Sequence, residues 1–201
     1  MFTLFEQERG RELRKLTRRL RSVAYETNMQ DLGATFAAPE GIAQGPNADL
    51  PAADYASALI WKRYRKVCKI AAGIDATTDD EEVHELRIHC KKLRYLMEFF
   101  APLFPGKQVK SLIKPLKVLQ DNLGLFNDYS VQQDTLQDFV GHHASAGRKG
   151  DLAIAKSIGA LIAVLHQRQL DERARVMASF AQFDSPEVRQ TFRSLFHSKG
   201  Q

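Results

Sequence analysis

The stretch from residue 83 to residue 100, VHELRIHCKKLRYLMEFF, decides the fold class. Its apolar residues recur every three or four positions, which is the spacing of one face of an α-helix. The residues of that face, which we predict to be buried, are Val83, Leu86, Cys90, Leu93 and Met97. The same spacing recurs along most of the chain without strand-like alternation. The sequence therefore predicts an all-α fold, arranged as an antiparallel helical bundle.

Capping and helix-breaking residues set the expected helix boundaries. Thr78 and Glu81 have the spacing of a capping box at the start of the helix that contains this stretch. Gly124 predicts a helix end, after which Asn127 or Asp128 caps a new helix. The predicted helices span residues 3–25, 52–73, 78–100, 107–123 with a kink caused by Pro115, 127–141 and 151–179.

The domain organisation follows from these helices and the loops between them. Residues 1–30 hold an N-terminal helix, and a loop rich in glycine, proline and alanine follows it. Residues 50–201 are predicted to form the helical bundle itself. A short last helix is expected after residue 184, with Ser185 as its N-cap and Pro186 at its first position.

Composition excludes several classes of protein. Hydrophobic residues make up 44% of the chain and charged residues 26%, as is ordinary for a globular protein. No apolar run approaches the roughly 18 residues of a membrane span, and the N-terminus becomes charged too early for a signal peptide. Cys68 and Cys90 lie in apolar helical patterns and are predicted to be buried thiols in a reducing compartment. We therefore expect a soluble, cytoplasmic protein.

The net charge is +5, but basic residues cluster on three consecutive helices, where acids are scarce. Like charges at helical spacing repel each other, so a bound anion would offset their cost. The alternative is that each stripe is an ordinary solvated helix face. The candidate binding residues are Lys62, Arg65, Lys66 and Lys69, then His84, Arg87, Lys91 and Arg94, and then Lys110, Lys114 and Lys117, with Lys107 beginning the last stripe.

Catalytic and metal-binding patterns are weak. His84 and His89 lie about 140° apart on a helix, so they do not share a metal ion as two histidines four residues apart would. His142 and His143 fall in a predicted turn with no ligand partner at a suitable spacing. There is no glycine-rich phosphate loop, and Asp121, like Asp128, is expected to cap a helix or to pair with a basic face. We therefore expect no catalytic residues, no metal and no cofactor.

Two motifs carry a resemblance to a known family. The pattern H-x-x-R-x-x-x-K-K-L-R-Y runs from His84 to Tyr95, and L-Q-D-x-L-G-x-x-N-D runs from Leu119 to Asp128. Together they resemble the C-terminal half of a CHAD domain, an all-helical domain named for its histidines, with the best likeness over residues 50–145. The resemblance implies non-catalytic binding of inorganic polyphosphate, often in polyphosphate-rich granules. Carried over by position, it points to His84, Arg87, Lys91, Arg94, Lys114 and Lys117.

Other interpretations remain open at this point. The same stripes suit a nucleic-acid backbone, although aromatic residues for base stacking are not interleaved with them. The chain could also be a helper domain for a triphosphate-processing enzyme. A full CHAD domain resembles two bundles around a basic channel, whereas the motif occurs here once. The N-terminal helix is then either the remnant of a first half or part of this bundle, and a homodimer would rebuild the channel. We expect phenylalanine-rich first and last helices to drive such pairing.

Overall fold

The computed structural model describes residues 2–38, 45–75, 77–143 and 151–197. These residues form seven α-helices and one short 3₁₀ helix, with no β-strand among them, which confirms the predicted all-α fold. The chain divides into two compact units, Met1–Asp49 and Leu50–Gln201. The helices are α1 (Phe2–Leu20), α2 (Val23–Ala37), α3 (Ala52–Ala71), α4 (Asp80–Phe99), α5 (Gly106–His143), α6 (Asp151–Phe183) and α7 (Pro186–Phe196), with the 3₁₀ helix at Ala101–Leu103.

The described residues of the first unit form two α-helices, where the sequence predicted one helix over residues 3–25 and a loop beyond it. The helix ends at Leu20 because Ser22 starts a new one: the Ser22 hydroxyl oxygen accepts the Tyr25 N–H at 3.2 Å. A serine at this position satisfies one of the free N–H groups of the following helix. The second helix then continues to Ala37, through a segment that its glycine, proline and alanine content had assigned to a loop.

The core of the second unit lies where α3, α4, α5 and α7 meet the C-terminal part of α6. The predicted buried face of α4 is confirmed, since all five of its apolar residues are buried. The apolar face of α5 is also buried, except that Ile113 is half-buried. The core residues of α5 are Val109, Leu112, Leu116, Leu119, Leu123 and Phe126. Within the described residues, no helix is long and apolar enough to cross a membrane.

The start of α4 differs from the predicted capping box. Asp79 is the N-cap residue, and its side chain makes no capping hydrogen bond. The Thr78 hydroxyl oxygen instead accepts the backbone N–H of Asp75 at 2.8 Å, within the turn that precedes the helix. Thr78 therefore orders the turn between α3 and α4. The acids in the first turn of α4 lie at the positive end of its helix dipole, where negative charge is stabilising.

The helix α5 runs without interruption for 38 residues, so the predicted end at Gly124 is wrong. A glycine in a helix costs about 1 kcal/mol relative to alanine. Burial of Leu123 and Phe126, on either side of Gly124, outweighs that cost. Asn127 and Asp128, expected as caps, lie inside this helix, as does Pro115. Asp121 also lies inside α5, so the prediction that it caps a helix is wrong.

The junction between α6 and α7 closes the bundle. The helix α6 continues to Phe183, four residues beyond the predicted end, and Ser185 caps α7 as predicted by accepting the Val188 N–H. Asp184, between them, is buried, and its carboxylate accepts the Tyr64 hydroxyl of α3 at 2.6 Å. Arg189 pairs with the other carboxylate oxygen at 2.6 Å. This network ties α3 to both C-terminal helices.

Aromatic packing and two thiols surround that network. The ring of Tyr64 stacks on Phe192 with centroids 4.0 Å apart. Phe192 and Phe196 are buried in the core, so the expectation that the last helix drives dimer formation is wrong. Both cysteines are free; Cys90 is buried as predicted, whereas Cys68 is half-buried. Burial raises the pKa of the Cys68 thiol to about 12, which keeps it protonated beside Asp184.

Candidate functional site

The helix α4 lies between α3 and α5 and contacts each through a different edge. On the α5 side, His84 Nδ1 lies 2.6 Å from Asn127 Oδ1, so that nitrogen carries the proton it donates to the amide oxygen. On the α3 side, Arg63 Nη1 lies 2.7 Å from His89 Nδ1, and Lys66 pairs with a carboxylate of α4 at 3.2 Å. The two edges of α4 therefore have different partners.

The edge next to α5 carries the predicted basic stripe of α4. We call His84, Arg87, Lys91 and Arg94 the α4 basic edge. His84 and Lys91 are exposed. Arg87 and Arg94 are half-buried, and the side chain of Arg94 is 27% exposed to solvent. Partial burial of an arginine stem restrains the side chain while its guanidinium still reaches solvent. The two arginines are thus held in place before any ligand arrives.

Tyr95 supports two members of this edge. The Arg94 guanidinium carbon lies 5.3 Å from the centre of the Tyr95 ring, and Lys91 Nζ lies 6.0 Å from it. Cations at these distances are attracted to the face of an aromatic ring. Tyr95 therefore limits the freedom of both side chains and holds them on the same part of the surface.

Antiparallel packing of α4 and α5 brings a second group of cations to this edge. His84 contacts Asn127, so Arg94, ten residues further on, lies about level with Lys117, ten residues back along α5. We call Lys110, Lys114 and Lys117 the α5 lysines; all three are exposed. The α4 basic edge borders the line along which the two helices meet, which we call the groove, and the α5 lysines lie on the helix that forms its other side.

Two buried donors line this groove without an acceptor among the described residues: Arg94 Nε and Gln120 Nε2. The closest carboxylate oxygen to Arg94 Nε belongs to Glu98 and lies 3.8 Å away, too far for a hydrogen bond. Gln120 lies seven residues before Asn127, about level with Lys91. A buried N–H without an acceptor costs about 1–3 kcal/mol. The groove thus combines positive charge with donors that lack acceptors.

The basic stripe of α3 lies elsewhere. Lys62, Arg65 and Lys69 are exposed on its outer face, and Lys66 is paired with Glu85. Because α3 contacts the opposite edge of α4, these cations do not flank the groove. The structure therefore places seven of the eleven predicted residues on α4 and α5, with Lys110 level with the end of α4, and the other four on α3, at the opposite edge of α4.

Sequence reasoning missed three polar residues that shape the two edges of α4. Asn127 orients His84, Gln120 lies in the groove, and Arg63 contacts His89. Burial, together with the neighbouring Arg63 cation, lowers the pKa of His89, which therefore accepts from Arg63 as a neutral ring. The signal available in the sequence was the seven-residue spacing of Gln120 and Asn127, which places both on one side of α5.

In the part of the chain that the structure describes, the histidines form no metal-binding cluster with carboxylates or thiols. His84 and His89 lie on opposite edges of α4, as their spacing predicted. His142 and His143 occupy the end of α5, where a turn was predicted, and their side chains lie outside the described residues. The remainder of that predicted turn, residues 144–150, lies outside them as well.

The described residues define the class of protein as an all-α helical bundle, in which the antiparallel helices α4 and α5 carry seven of the predicted residues. A model of the CHAD domain family matches residues 1–137. The chain therefore belongs to the CHAD domain family, as its two motifs predicted. The match begins at α1, earlier than the expected residue 50, and it includes the α4 basic edge and the α5 lysines. No curated protein matches the chain.

Proposed function

We propose that the groove between α4 and α5 binds inorganic polyphosphate, or a similar linear polyanion, without catalysis. One observation carries the proposal: the His84–Asn127 contact aligns the α4 basic edge with α5, and among the described residues the α4 basic edge and the α5 lysines make a single ion pair, Arg94 to Glu98. Cations already paired with acids would have little to gain from an anion. Membership of the CHAD domain family supports the same ligand class.

The chemistry of the groove suits a chain of phosphates. The guanidinium groups of Arg87 and Arg94 present planar donors that match phosphate oxygens, whereas lysines act as mobile point charges. The α5 lysines span seven residues, about 10 Å of helix, along which a phosphate chain offers several negative charges. His84, held by Asn127 through Nδ1, adds an oriented imidazole ring to the same edge.

Binding without turnover follows from the types of side chain in the groove. All seven residues donate hydrogen bonds or carry positive charge, and none is a carboxylate that would hold a magnesium ion at the phosphates. We therefore propose no catalytic step and no cofactor. Affinity for polyphosphate would bring the protein to polyphosphate-rich granules in the cytoplasm.

Polyphosphate binding should depend steeply on salt. Each cation that contacts a phosphate releases counterions, so the six arginines and lysines of the groove predict a slope of log K against log salt of roughly −4. We would titrate fluorescently labelled polyphosphate with the full chain at rising salt. Polyphosphate of unchanged chain length after the incubation is the expected result for a protein that does not catalyse its hydrolysis.

Duplex DNA with the same number of charges is the competing ligand in this titration. We expect it to bind more weakly at every salt concentration, because a stiff, wide duplex cannot enter a groove between two helices. Equal affinity for DNA throughout would favour a nucleic-acid-binding module instead. Shortening of the polyphosphate would contradict the proposal of binding without turnover.

A further inference from the structure

The first unit exposes apolar residues that a helix normally buries. On α1, Leu13, Leu16 and Leu20 lie on one face at spacings of three and four, with exposed fractions of 62%, 53% and 47%. We call these three leucines the α1 seam. None of them is covered by another part of the described chain to the extent expected of a core leucine.

A second seam of the same kind follows α2. Tyr25, Met29, Leu32 and Phe36 recur at spacings of four, three and four, which places them on one face of the helix. No residue of α2 is buried, and Phe36 is 74% exposed. We call these four residues the α2 seam. Both seams therefore have the spacing of a packed helix face, yet they stay exposed among the described residues.

The two helices carry net charges of opposite sign: α1 contains six lysines and arginines against three glutamates, whereas α2 contains only acids. The helix α1 pairs two of its acids internally, Glu8 with Arg11 and Glu12 with Lys15, and Arg14 and Arg18 make no ion pair among the described residues. The helix α2 contains no lysine or arginine. Its two charged residues are Glu26 and Asp31, one on each side of the α2 seam.

We propose that two copies of this chain associate through the first unit, with α1 of one copy packed on α2 of the other. Each copy offers one basic and one acidic helix, so a two-fold axis creates the same contact twice. Within one chain only Arg21 and Ser22 connect the helices, and both seams stay exposed. An anionic membrane fits less well, because its charge would repel the acidic α2.

This proposal assigns a surface to self-association and does not rest on polyphosphate binding. The contact between copies does not involve the groove of α4 and α5. It also does not involve the last helix, because Phe192 and Phe196 are buried in the core. Hydrophobic seams on helices of opposite net charge favour pairing of one such helix with the other in helical assemblies.

Analytical ultracentrifugation of the full chain tests the pairing. The wild type should sediment as a dimer, and the α1 variant Leu13→Glu with Leu16→Glu should be a monomer, as should the α2 variant Met29→Glu with Leu32→Glu. Each pair of changes should raise the dimer dissociation constant on the order of 100-fold or more, because leucine-sized side chains lose their buried environment. The control is Leu152→Glu, which changes an exposed leucine of α6 in the second unit and should leave the protein a dimer.

Mixing the two variants gives the most specific result. In the mixed pair, the altered α1 meets the altered α2, while the remaining α1 and α2 are both of wild-type sequence, so one contact is intact. We therefore expect partial recovery of the dimer from two monomeric proteins. A monomeric wild type at about 100 μM, a seam variant that remains dimeric, or no recovery on mixing would overturn the proposal. So would a wild-type chain that remains monomeric and binds anionic vesicles.

Discussion

Replacing Arg87 and Arg94 together with alanine should abolish polyphosphate binding while the protein stays folded. Charge-assisted hydrogen bonds contribute about 1.5–3 kcal/mol each, so losing two arginines should weaken binding on the order of 100-fold or more. Both side chains are half-buried at the edge of the groove and are not buried in the core. Circular dichroism should therefore be unchanged, with a small decrease in melting temperature from the lost packing of the arginine stems.

A matched variant separates the groove from net charge. Lys62→Ala with Arg65→Ala removes the same two charges from the outer face of α3, where neither residue makes an ion pair among the described residues. We expect its loss of affinity to be several-fold at most, because these cations contribute only a distant field that salt screens. Equal losses from the two double variants would mean that the ligand responds to overall charge and not to the groove.

Asp184→Ala should destabilise the second unit strongly, although the changed residue is polar. Its carboxylate accepts the buried Tyr64 hydroxyl and pairs with Arg189. Burial, together with the hydrogen bond to Asp184, raises the pKa of Tyr64, so its hydroxyl remains a donor at all ordinary pH values. Removing the acceptor leaves a buried donor unsatisfied, which should lower the free energy of unfolding by about 2–4 kcal/mol. Urea denaturation measures this difference.

The conservative change at the same position provides the control. Asp184→Asn keeps an oxygen that accepts from Tyr64 and loses the ion pair with Arg189, whose side chain is 58% exposed. An exposed partner contributes little, so we expect a loss clearly smaller than that of Asp184→Ala. If asparagine proved as destabilising as alanine, the ion pair, and not the hydroxyl, would be the main contributor.

The burial pattern could be predicted where helical periodicity alone determines it. Every apolar residue predicted for the inner face of α4 is buried, because a helix that packs on one side must place its apolar residues there. The N-cap of α7 was also predictable, since Ser185 and Pro186 act on their own neighbours in sequence. These features depend on local geometry only.

The errors arose where distant contacts override local preference. Gly124 has a low helix propensity, yet α5 continues through it because Leu123 and Phe126 are buried in the second unit. Thr78 has the spacing of a capping box, but its hydroxyl oxygen accepts the backbone N–H of Asp75 in the preceding turn. Such competition between partners is not visible in a pattern of residue types.

The residues of the candidate site could be predicted from the sequence, but which of them lie on the same side of α4 could not. Three basic stripes were found from spacing, yet only the packing of α4 shows that Lys117 lies near Arg94 and that Lys62 lies on the other side. The angle around a helix follows from residue number, whereas the neighbour that each edge meets depends on the tertiary fold. For the same reason Asn127, expected as a helix cap, is instead the partner of His84.

Chemical modification of lysines in the wild-type chain, with and without polyphosphate, tests the groove most directly. Acetylation at each lysine, followed by mass spectrometry, should slow several-fold at Lys91, Lys114 and Lys117 when polyphosphate is bound, because contact with phosphate blocks the amine. Lys62 and Lys69, exposed on α3, should react at the same rate in both samples. Protection of Lys62 and Lys69 equal to that of the groove lysines, or no protection of the groove lysines under saturating polyphosphate, would contradict the account.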